Sequence, residues 1–126
     1  MTDEIPTVDS LDSSILDDTK KLLGLDSEYD AFDKDVTINI NSAFAKLNQL
    51  GVGPSNVFSI SGKKEVWRDF TSDSVDYGMI KMYIYLNTRL SFDLPQNSFL
   101  VSAIKEQVTE LEWRLNMESE FNKSDV

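Results

Sequence analysis

The chain has 126 residues, 40 % of them hydrophobic, and 22 acids against 12 bases for a net charge of −10. That length carries one domain with one real core, and the acidity leaves no basic face with which to grip nucleic acid. The absence of His and Cys excludes Cys- or His-based nucleophile pairs, ordinary zinc sites and disulfides, and fits a reducing compartment. The start, MTDEIPTVDS, is too acidic and polar for a secretory signal, and no apolar run approaches the ~18 residues of a membrane span. Residues 1–12 read as a loose polar arm. Ser13 or Ser14 then caps a first helix, in which Ile15, Leu16, Thr19, Leu22 and Leu23 share a face and which Gly24 stops.

The segment LDSEYDAFDKD follows, with acids at 26, 28, 30, 33 and 35. A calcium loop starting at Asp26 needs Gly sixth and Glu twelfth, where the chain has Ala31 and Thr37. Acids ahead of a helix suit its dipole instead. A second helix is predicted from Asp33 to Leu50. VTININ alternates like a strand, but Val36, Ile40, Ala43, Phe44, Leu47 and Leu50 hold one helical face over four turns. Gly51 ends it. Residues 51–73 form a long connector in which Phe58–Ile60 and Glu65–Trp67 flank SGKK, compatible with a small hairpin; VWRDF also fits one helical turn. Its apolar residues, with Phe58, Trp67 and Phe70 among them, either fold back on the bundle or meet another subunit.

A third helix starts at Asp73 or Ser74. Taking Tyr83 as zero at about 100° per residue, Val75, Met79, Met82, Leu86 and Leu90 lie on one side. Ile80, Ile84 and Tyr77 make a second face, and Tyr85 and Phe92 a third, so neighbours should surround this helix. Pro95 breaks the chain, and Asn97 or Ser98 caps a fourth helix that fades after Met117. Its stripe is Leu100, Ile104, Val108, Leu111 and Leu115. Trp113 lies about 200° from Leu111, with Phe99 about 40° from Trp113. An aromatic pair off the core stripe marks an interface or is covered by a loop or arm. Glu106, Glu110 and Glu112 are the densest acids but find no inward partners on the third helix. GVGP and SGKK lack phosphate-loop spacing. No enzymatic activity and no cofactor or metal is expected.

Net charge runs −8 over residues 1–35, +1 over 36–96 and −3 over 97–126. This fits plain solubility, or a surface that DNA slides past without sticking. It also leaves open an acidic decoy that mimics DNA and inhibits a DNA-processing protein, although such mimics spread acids evenly.

The segments LDDTKKLLGL, INSAF…LNQLGVGP, VWRDF, KMYIYLNTRLSFDLP and ELEWRLN, in that order, resemble the head–tail connector (head-completion or adaptor) proteins of long-tailed bacteriophages, over residues 13–117. The resemblance implies an all-α bundle of about four helices at 13–117, a polar N-terminal arm at 1–12 and a C-terminal tail at 118–126. It implies a structural virion protein of the neck, assembled in the host cytoplasm. Copies form a ring, commonly of twelve, that extends the DNA channel beneath the portal. The expected partners are the portal protein, neighbouring copies and a downstream neck or tail-completion protein. DNA passes without specific binding, and no membrane is involved. The tail positions Met117, Glu118, Ser119, Glu120, Phe121, Asn122 and Lys123 would reach the portal, by strand addition in some relatives. Phe58, Trp67, Phe70, Phe99 and Trp113 would meet neighbouring subunits or partners.

Overall fold

The protein is described from a computed structural model, which covers residues 11–72 and 74–124, with 74–75 and 121–124 as backbone only. The arm at 1–10, the cap at Asp73, the side chain of Val75 and residues 125–126 lie outside the described residues.

Four helices form an all-α bundle: α1 Ile15–Leu22, α2 Asp33–Gln49, α3 Ser74–Phe92 and α4 Ser98–Ser124, with a 3₁₀ turn at Trp67–Asp69 in the connector. The Ser14 hydroxyl caps α1 by accepting from the Asp17 amide at 3.2 Å. Gly24 leaves the helix at φ 85°, the left-handed exit that side chains resist. VTININ is helical throughout; Val36, Ile40, Ala43, Phe44 and Leu47 are its buried face. Burial of that face outweighs the strand propensity of six residues.

The central element is α3, which packs against α1, α2 and α4. Ile80, Tyr83, Ile84 and Leu86 are buried on it, together with Asn87 and Thr88, while Met82 is exposed. Phe32 at the start of α2 meets Phe92 at the end of α3, so these helices run antiparallel. Tyr83 meets Glu112, which sets α4 antiparallel to α3 in turn.

The long connector contains no hairpin. Instead the Glu65 carboxylate accepts from the Ser61 amide and hydroxyl at 2.9 and 2.8 Å and from the Gly62 amide at 3.4 Å, closing the SGKK turn on itself. Asn41 of α2 takes the place of a partner strand. Its side-chain amide brackets Ile60, accepting from the Ile60 amide at 2.7 Å and donating to the Ile60 carbonyl at 3.0 Å. Residues 65–67 also bridge to the entry of α1, through Ile15 N–H to the Glu65 carbonyl at 3.0 Å and Trp67 N–H to the Ser13 carbonyl at 3.4 Å. Phe44, Phe58 and Phe70 form a ring cluster beneath this loop. Gly53 sits so close that a Cβ there would strike the Phe70 ring.

Two boundaries differ from the sequence reading. Leu11 is buried in the core, and exposed Asp12 pairs with Arg68 on the surface at 2.7 Å, so the packed body begins by Leu11. The fourth helix does not fade after Met117 but continues to Ser124.

Candidate docking surface

The described residues present exposed apolar surfaces. Among the described residues, no group of carboxylates could hold a metal ion, and no helix is long and apolar enough to cross a membrane. The glutamates of α4 diverge: Glu110 lies 3.9 Å from Arg114 on the surface, whereas Glu112 accepts the Tyr83 hydroxyl at 2.8 Å. Burial, followed by the Glu112 carboxylate, pushes the Tyr83 phenol far above its ordinary value.

The outward face of α4 carries several exposed apolar groups. The Asn97 side chain starts the helix, accepting from the amides of Phe99 and Leu100 at 2.8 and 3.2 Å. Ile104, Val108 and Leu115 then face the core. Leu100, expected in the stripe, is exposed, because the stripe's first turn projects beyond the buried core. On the opposite side Phe99 is 85 % exposed, Trp113 65 % and Met117 49 %. Trp113 and Met117, with Met79 of α3, Arg114 and Glu118, line an open groove of about 350 Å³. An apolar floor with one charge of each sign at its rim suits a protein contact.

The C-terminal part of α4 is tied to the end of α2. Asn116 donates to the Leu50 carbonyl at 3.0 Å, and Ser119 to the Gly51 carbonyl at 2.6 Å. These satisfy carbonyls that the end of α2 leaves orphaned. Of the tail residues named from the resemblance, Met117, Glu118, Ser119 and Glu120 are therefore helical and described. The side chains of Phe121, Asn122 and Lys123 lie outside the described residues.

The loop aromatics divide differently. Trp67 is fully buried and Phe70 nearly so, which corrects the expectation that they face a neighbour. Trp67 donates its indole N–H to Asp18 at 2.9 Å and packs edge-on against Tyr77. Lys81 completes the group at 3.5 Å from Asp18. The cause is the bridge between residues 13–15 and 65–67, which carries Trp67 into the space between α1 and α3. Phe58 is half-buried in the ring cluster.

Two features escaped the sequence reading. Lys20 has no exposed surface; its ammonium donates to the carbonyls of Ser27 and Tyr29 at 3.1 and 2.7 Å and lies 2.6 Å from Asp33. Exposed Tyr29 and Phe32 form an edge-to-face series with half-buried Phe92 at 5.8 and 5.4 Å. Their spacing of three residues was the available signal.

A family model described as phage connector protein matches residues 15–122. No curated protein and no solved structure matches the chain significantly.

Proposed function

The chain belongs to the phage connector protein family, a structural virion family, and from that premise we propose that it is the head–tail connector set beneath the portal. The family match over most of the chain carries this reading. In it, copies form a ring, with twelve as the working number, that extends the DNA channel and offers its far side to a neck or tail-completion protein.

The surfaces suit such a role. A ring built by head-to-tail contacts needs two different patches per subunit, and exposed Phe99 and the Trp113–Met117 groove are candidates for one of them. Trp67 and Phe70, being buried, are not. The charge suits a channel as well: −10 per chain gives about −120 over twelve copies, which repels rather than holds DNA. The tail from Met117 onward reaches the portal in this reading. Because α4 is helical to Ser124, its backbone groups are already used, and strand addition requires that stretch to unwind first.

The test is to mix the purified chain with DNA-filled, tail-less capsids of its phage and image the portal vertex. Added ring density below the portal, with a countable symmetry, is the expected result. A folded chain that leaves the vertex bare, yet blocks a DNA-processing enzyme in competition with duplex DNA, would replace the connector reading with that of an acidic decoy.

A further inference from the structure

The loop between α1 and α2 is held with unusual firmness for a segment that exposes rings. Tyr29 is 50 % and Phe32 39 % exposed. Lys20 reaches up from the core to both the Ser27 and Tyr29 carbonyls, and Lys63 adds a second bond to the Ser27 carbonyl at 2.8 Å. Asp26 folds the turn by accepting from the Glu28 amide at 2.9 Å. Burying a lysine carries a large desolvation cost that only full satisfaction offsets. Here that arrangement fixes the backbone of an exposed tyrosine. Rings fixed before contact lose little entropy on binding.

Charge defines what would bind. Residues 26–35 hold five acids and one base; Asp26, Glu28, Asp30 and Asp35 are exposed on the same segment as Tyr29 and Phe32, and Asp93 is exposed just past Phe92. Asp33, the fifth acid, is occupied by Lys20. An aromatic platform in an acidic surround repels acidic partners and rewards an apolar side chain flanked by Lys or Arg, with cation–π contact from the bases to the exposed rings. We propose that Tyr29, Phe32 and Phe92 form a docking surface for a basic, apolar-tipped segment of a partner protein. This surface stands at the α3 C-terminal end, away from the Met79–Trp113 groove near the α3 N-terminal end. The chain thus presents two separate apolar patches of different character.

Peptide binding to the single chain does not depend on ring formation, so its outcome is separable from that of the capsid experiment. The probes are two synthetic peptides with the same Leu–Phe centre, one flanked by Lys and Arg and one by Glu, titrated into the ¹⁵N-labelled full chain at low and high salt. The expected result is binding of the basic peptide alone, weakened by salt, with shifts centred on residues 26–35 and 89–94. Tyr29→Ser and Phe32→Ser, both at exposed rings, should each weaken it about tenfold, while Trp113→Ser leaves it unchanged. Equal binding of both peptides, no binding of either, or shifts centred on Trp113 would overturn the proposal. So would concentration-dependent self-association abolished by Tyr29→Ser, which would give the surface to a second copy.

Discussion

Lys20 Nζ stands 2.6 Å from Asp33 Oδ1 although the lysine side chain has no contact with water. The pair joins the last turn of α1 to the first turn of α2, while the Ser27 and Tyr29 carbonyls accept two hydrogen bonds from the same ammonium. Lys20→Met strands the Tyr29 carbonyl and the Asp33 carboxylate, while the Ser27 carbonyl keeps its bond from Lys63. Because Asp33 is partly exposed and can rehydrate, the expected loss is about 3 kcal/mol, at the lower end for a broken buried pair. Urea denaturation measures it; a loss under ~1 kcal/mol would show that the cage contributes little to the fold.

Trp67 is a second tie of this kind. Trp67→Ala should cost about 3–5 kcal/mol by emptying a fully buried site. Trp67→Phe, which keeps most of the volume but removes the donor to Asp18 and leaves a small cavity, should cost about 1–2 kcal/mol. Any loss of assembly should then track the loss of fold. A Trp67→Ala chain that melts like the parent but fails to assemble would return this residue to the subunit interface.

The Tyr83 hydroxyl gives a pH prediction. Burial and Glu112 raise its folded value above the unfolded one near 10.0. The folded state therefore holds this proton more tightly, and the associated stability is complete below about pH 10 and lost as pH rises further. Stability should fall above pH 10 in the parent and fall less in Tyr83→Phe, while ultraviolet titration should show one tyrosine lagging the others. Identical alkaline profiles for both proteins would remove Tyr83 from the cause.

Glu65 and Asp12 act at the other end of the scale. Burial works to raise the Glu65 carboxyl, but the Ser61 hydroxyl and the amides of Ser61, Gly62 and Glu65 itself hold it below its ordinary 4.5; a hydrogen bond from Arg68, against slight burial, likewise lowers Asp12. Both contributions are present above the unfolded values and lost as pH falls through the folded ones. Glu65→Gln should flatten the acid limb of the stability curve below about pH 4.5 and loosen the 61–65 turn first, visible as faster amide exchange at Ser61 and Gly62. An acid limb left unchanged would show that the turn closes without the carboxylate.

How much of this was legible follows from what each residue needs. The buried face of α2 and the inner run Ile104, Val108 and Leu115 are set by period alone, so they stood in the sequence. The run on α4 can be tested by pairing Ile104→Asp, which should unfold the domain by burying a charge, with exposed Leu100→Asp, which should be tolerated. The Lys20 cage was not legible, because its acceptors are backbone carbonyls seven and nine residues away, placed by a turn that has no periodic signature. Trp67 could be offered to core or neighbour but not assigned, since its burial depends on the pairing of residues 65–67 with 13–15, fifty positions earlier. The exposed pair Tyr29 and Phe32 was masked by the acids on either side of it and by Asp30 within it, which invited a reading of metal chemistry or dipoles before one of packing.

The last turns of α4 hold the sharpest consequence for docking. Beyond Leu115, the last buried residue of the helix among those whose side chains are described, the C-terminal stretch is tied down by Asn116 and Ser119 to the end of α2. If the portal takes this stretch as an added strand, binding must first break both bonds and unwind the helix, which lowers the apparent affinity by the fraction unwound. Each bond contributes about 1 kcal/mol. Ser119→Ala with Asn116→Ala should therefore leave the main melt nearly unchanged, speed amide exchange from Glu118 onward, and tighten portal binding by roughly tenfold or more. Had the portal instead read the helix as a helix, the same double variant would bind more weakly, because the ordered form would have become scarcer. The sign of the change, measured on portal rings by calorimetry, decides between a strand and a helix as the bound form.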